Sequence, residues 1–141
     1  MNLTTLLNPK ALEQYEKCLK IRVDKLGHEH PDVATSHLNI GVVHKQLGDF
    51  EKALFHYGKA QEVFVAVHGH DHPDVASSKE NIGLLFKQTN RKEEAEHLFL
   101  EAAAIRRKVF GPDHASTKKS ERLAAQCEYS KIAAAQCEYN K

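Results

Sequence analysis

The chain has 141 residues and a mass of 15.9 kDa, enough for one small domain with a modest core and too little for separate catalytic and cofactor domains. Twenty lysines and arginines against 19 aspartates and glutamates leave a net charge of +1, so no global field draws in nucleic acid or anionic lipid. No run nears the roughly 18 apolar residues of a membrane span, Met1 to Leu7 carry no basic stretch ahead of an apolar one, and Cys18, Cys127 and Cys137 lack metal-ligand spacing, which together fit a soluble protein of a reducing, cytoplasmic setting.

The first predicted element is a half unit over residues 9–29, a helix marked by Ala11, Tyr15 and Ile21. Only eight residues precede Pro9, too few for a partner helix. One apolar side is therefore expected to stay open and to dock on a second copy, on the segment Met1 to Leu7, or on further protein, which makes a homo-oligomer through the uncapped ends an expectation.

A full unit follows over residues 30–71. His30-Pro31-Asp32 starts a helix: proline suits the first turn, where its missing N–H would be unpaired anyway, and aspartate complements the positive end of the dipole. Val33, Ile40, Gly41 and Leu47 keep helical spacing, Gly48-Asp49 breaks it, and Phe50, Ala53, Leu54, Tyr57, Ala60, Phe64 and Val67 resume it. The unit reads as a helical hairpin.

The next unit, residues 72–113, restates the first. His72-Pro73-Asp74 lies 42 residues after His30-Pro31-Asp32, and residues 27–68 match residues 69–110 without gaps at 17 of 42 positions, where unrelated sequences share roughly 3. The half-unit positions fall into line too: Ala11, Tyr15 and Ile21 with Ala53, Tyr57 and Val63, and with Ala95, Phe99 and Ile105. Gly41 and Gly83 recur inside helices, where glycine costs roughly 1 kcal/mol against alanine, so close approach of the second helix, at Ala53 and Ala95 with Tyr57 and Phe99 beyond, is the expected reason.

A degraded third start at Gly111-Pro112-Asp113-His114 opens a C-terminal segment, residues 114–141. Within it Ala124-Ala125-Gln126-Cys127-Glu128-Tyr129-Ser130-Lys131 returns ten residues later as Ala134-Ala135-Gln136-Cys137-Glu138-Tyr139-Asn140-Lys141. Ten residues rotate a helix by roughly 280° beyond whole turns, so the two copies face different directions. The segment is expected to be one long helix capping the stack.

The small and large residues at Ile40-Gly41, Gly48-Asp49-Phe50, Ala53, Tyr57 and Ala60 resemble the tetratricopeptide pattern, and the 42-residue period with Gly-x-x-His and Pro-Asp-Val-Ala resembles the kinesin light chain and nephrocystin-type subgroup. The resemblance covers residues 11–114. It implies an all-α array of helical hairpins, a right-handed α-solenoid fragment, that acts as a non-enzymatic protein-interaction scaffold. An alternative it leaves open is a structural oligomerisation or spacer module of a larger signalling or motor-adaptor protein.

In that family the first helix of each unit lines a peptide groove. The positions implied here are Thr35, Leu38, Val42, Lys45 and Gln46, then Ser77, Glu80, Leu84, Lys87 and Gln88, then Lys119, Arg122, Gln126 and Tyr129. Lys45, Lys87, Lys119 and Arg122 would form a ladder of cations with Leu38, Val42 and Leu84 offering apolar contact, which suits an acidic peptide with apolar anchors. The competing reading makes them ordinary solvated helix faces. The chain departs from the terminal-carboxylate clamp of the chaperone-binding branch, with Leu38 and Glu80 at its lysine position and Val42 and Leu84 at its asparagine position. It also keeps only the second asparagine, Asn39 and Asn81, of the pair common in kinesin light chains.

Ten histidines, including His28-Glu29-His30 and His68-Gly69-His70-Asp71-His72, invite a metal reading, but the repeat explains most of them and one of each set precedes a helix start, where it can cap. No nucleophile motif and no glycine-rich phosphate loop stand out, so neither a catalytic site nor a cofactor is expected.

Overall fold

The computed structural model describes residues 3–141, and side chains from Pro9 onward. The expectation that Met1 to Leu7 cover the open side of the half unit falls on side chains outside the described residues. Six helices follow in order: α1 (Leu3–Leu26), α2 (Pro31–Gln46), α3 (Phe50–His68), α4 (Pro73–Gln88), α5 (Lys92–Phe110) and α6 (Ala115–Tyr139). They form two compact units, Met1–His70 with α1 to α3 and Asp71–Lys141 with α4 to α6.

Histidine starts three of these helices. His30, His72 and His114 precede α2, α4 and α6 in extended conformation, and the Nδ1 of each accepts from a backbone N–H two residues on, Asp32, Asp74 and Ser116, at 3.1 Å. Imidazole thus does the work usually given to serine or aspartate at this position, and the recurrence at 42 residues accounts for a histidine in each cluster. The connection inside each unit also repeats: Gly48 at φ 81° and Asn90 at φ 63° hold left-handed backbone between paired helices, a conformation asparagine tolerates better than most residues.

Packing explains the helical glycines. A methyl group built on Gly41 would lie 2.6 Å from Cδ1 and Cε1 of Tyr57 and 3.3 Å from the Ala53 carbonyl oxygen. On Gly83 it would lie 2.8 Å from Cε1 of Phe99. The aromatic ring itself rests on the glycine, with Ala53 and Ala95 fully buried beside it. Tyr57 at 2% exposure and Phe99 at 0% are the largest side chains sealed in their units, and each buries an area typical of a dominant core residue.

Two expectations about the ends need revision. α1 runs through Pro9 and begins at Leu3, so the half unit starts earlier than residue 9, at the expense of the hydrogen bond that proline cannot donate. α6 is the long final helix expected, and it packs on α5, but only its first half is covered. Ala124 and Cys127 are buried while residues 132–141, which include the whole second copy of the duplicated segment from Ala134, are exposed throughout, as the rotation between the copies requires.

Candidate interaction surfaces

In the second unit the groove positions contributed by α4 and α6 divide into two groups. Lys87, Arg122, Gln126 and Tyr129 come together with Ala125 and Ser130 around one open depression of about 520 Å³. Lys87 Nζ donates to Gln126 Oε1 at 3.1 Å, tying α4 to α6 across its floor. Arg122 has no acidic partner among the described residues, and Tyr129 is 75% exposed. The depression therefore presents two cations, an amide and an unsatisfied phenol ring, the inventory that recognises a carboxylate beside an apolar or aromatic group.

Glu80 belongs to the second group, turned inward, and the exposed Lys119 reaches it from the surface. Glu80 is 4% exposed and is bound by the Arg106 guanidinium, by Ser120 Oγ at 3.0 Å and by Lys119 Nζ at 2.7 Å. Arg106 also donates to Ser120 Oγ at 2.7 Å, Ser116 O at 3.3 Å and Ser77 Oγ at 3.3 Å. Burial pushes the Glu80 carboxyl upward, but Lys119, Arg106 and Ser120 outweigh it and hold it below the ordinary 4.5. Glu80, Ser77 and Lys119 thus fasten α4, α5 and α6 together. Leu84 packs against the cluster of Ala95, Phe99, Ala124 and Cys127, and Gln88 is exposed.

The first unit carries Thr35, Leu38, Val42, Lys45 and Gln46 on α2. Thr35 Oγ1 turns back to the Pro31 carbonyl at 3.1 Å, Val42 is 38% exposed, Gln46 is exposed, and Leu38 and Lys45 are half-buried. Of the four cations expected to form a ladder, Lys87 and Arg122 border one depression and the exposed Lys119 pairs with Glu80.

Sequence reasoning missed the polar contacts between consecutive helices. Arg22 of α1 donates to Ser36 Oγ at 2.7 Å and Asp32 O at 3.0 Å, the counterparts, two periods earlier, of Ser120 and Ser116 around Arg106. The signal was present as Arg22 and Ser36 recurring as Arg106 and Ser120 at 84 residues, yet Phe64 interrupts the series. Also unforeseen is a histidine cluster in the first unit: His37 and His56 face each other Nδ1 to Nδ1 at 2.9 Å, and His44 stacks on His56 with centroids 5.6 Å apart. Burial, then His37 and His44, lower the His56 pKa to about 4.

Two family models described as tetratricopeptide repeat match residues 7–64 and 75–116. The chain belongs to the tetratricopeptide repeat family. Solved tetratricopeptide structures agree in fold. BtubC (BKLC) from P. vanneervenii superposes with a TM-score of 0.70 at 26% identity over 90% of this chain. A kinesin light chain-like protein of Podosopora anserina with nearly identical TPR-like repeats gives 0.74 at 20% identity over 85%, and so does a single-substitution variant of it. The chain spans 57% of the length of each. No curated protein is a sequence match. No described helix is long and apolar enough to cross a membrane.

Proposed function

We propose that this tetratricopeptide chain is a non-enzymatic interaction module, and that the depression bounded by Lys87, Arg122, Gln126 and Tyr129 takes an acidic peptide segment with an apolar or aromatic anchor. Tetratricopeptide repeats generally mediate protein association, and the observation supporting this particular site is the convergence of those four side chains on one open surface of about 520 Å³. A ligand carboxylate would pair with Arg122 and displace Gln126 from Lys87, while its anchor lies on the Tyr129 ring. Both cations sit on helices already fixed by the buried Glu80 network, so little ordering of the backbone is needed on binding.

The test is a side-by-side affinity comparison of the intact chain and a Lys87→Glu, Arg122→Glu double variant against a panel of acidic and charge-neutral peptides. The acidic members should bind the intact chain with affinity that falls as salt rises, and the double variant should lose at least about tenfold. Equal retention of acidic peptides by the variant would overturn the assignment and favour the spacer reading.

A further inference from the structure

A cavity of about 500 Å³ lies within the first unit, lined by α1, α2, α3 and the turn at His28-Glu29. Leu19 and Val23 of α1 and Phe55, Val63 and Ala66 of α3 give it apolar walls. Helices of this chain bound it on both sides, and its volume is that of an ordinary ligand site. From Phe55 to Ala66 the wall runs about 16 Å along α3, the reach of about five extended residues.

The same positions in the second unit, 42 residues on, are joined by ion pairs. Lys79 meets Glu101 at 2.6 Å, His97 meets the same carboxylate at 3.0 Å, and Lys108 meets Asp71. In place of Lys79, Glu101, His97, Lys108 and Asp71 the first unit has His37, Lys59, Phe55, Ala66 and Glu29. Phe55 is 58% exposed, a bare ring at the cavity. The lysine that meets Asp71 is an alanine here, and the exposed Glu29 has no cationic partner among the described residues. Lys59, by contrast, donates to Glu62 at 3.2 Å and stands 5.7 Å from the Phe55 ring centroid. Burial, then Lys59 and His28, lower the His37 pKa, so this imidazole adds no charge to the cavity at neutral pH.

We propose that this cavity takes an extended segment of a partner protein, with a lysine or arginine that meets Glu29 and apolar side chains two and four positions away that lie on Val63 and Phe55. Residues so spaced share one face of an extended chain, and the missing cation sets the sign of the end residue. In the hairpin α2 begins and α3 ends on the Glu29 side, so the carboxylate lies toward Ala66 and the Lys59–Glu62 pair marks the far end. The charge preference is opposite to that of the depression in the second unit, and neither site depends on the other.

The probe is a labelled Leu-Ser-Leu-Ser-Arg-Ser-Leu-Ser-Leu peptide, which sets apolar residues two and four positions from the arginine in either chain direction. Titrated by anisotropy against the full chain, it should bind saturably, and serine in place of its arginine should weaken binding at least about tenfold. Glu29→Lys in the chain should weaken it by at least as much. Ala66→Lys, which copies Lys108, should pair with Glu29, fill the cavity and abolish binding. Both positions are exposed, so both variants should melt as the intact chain does, and the peptide's own change leaves the chain untouched. Indifference to Ala66→Lys, to Glu29→Lys or to the peptide's arginine overturns the proposal, as does no saturation at about millimolar peptide. Competition by arginine amide alone as strong as by the whole peptide also overturns it, because it would give the cavity to a small organic cation.

Discussion

The two units use the same hairpin backbone and opposite polar chemistry at equivalent positions. Where the first unit has His37, His44 and His56, the second has Lys79, Phe86 and Leu98, and Lys59 is answered by Glu101. The first unit joins α2 to α3 with imidazoles stacked and hydrogen-bonded to each other. The second joins α4 to α5 with the Lys79–Glu101 pair at 2.6 Å and with Glu80 against Arg106, where the first has Leu38. Helix approach in this chain is thus fixed by the small residue and ring, common to both units, while the flanking positions differ. The units therefore differ in what destabilises them.

The largest effects should come from the shared feature. Gly83→Leu forces a side chain into the Phe99 ring and should cost about 3 kcal/mol, read as loss of amide protection in α4 and α5. Gly41→Leu should cost at least as much in α2 and α3, because one of its obstacles, the Ala53 carbonyl at 3.3 Å, is backbone and cannot rotate away. Wild-type protection in either variant would remove the close-packing account.

A smaller effect separates the arginines. Arg106→Leu strands the buried Glu80 with only Lys119 and Ser120 and should cost about 2 to 3 kcal/mol. Arg22→Leu strands no carboxylate and should cost about 1 kcal/mol for the bonds to Ser36 and Asp32. Denaturant melts of the two variants measure the difference, and equal losses would mean that Glu80 is not what makes Arg106 costly to remove.

Acid should distinguish the units most gently. His56 in the folded chain titrates near 4, below the ordinary 6.5, so between those values the unfolded state binds more protons and stability falls as pH drops. Above pH 6.5 nothing is lost. Glu80 is also depressed, but below 4.5, so its contribution is intact until pH falls beneath that value. At pH 5, hydrogen exchange should therefore have accelerated in α2 and α3 relative to α4 and α5, and His56→Leu, which copies Leu98, should reduce the difference, the remainder belonging to His37, whose pKa burial also lowers. Equal acceleration in both units would refute the histidine account.

Helix positions, the period and the core were legible in the sequence because each depends on local features that recur: a proline after a histidine, a glycine opposite an aromatic ring, a turn at Gly48 or Asn90. The sites were less so. Glu80 sits at a position that looks like a solvent-facing groove residue, and only the tertiary structure shows Arg106 reaching from α5 to claim it.

By itself, then, the sequence determined a chain of paired helices, since a 42-residue recurrence of apolar spacing, caps and glycines admits little else. Which side chains remain available to a partner was decided only in three dimensions. Charge, unlike helical periodicity, acts between residues distant along the chain, so Lys119 is paired with Glu80 while Arg122 has no acidic partner among the described residues, although both are exposed cations on one helix.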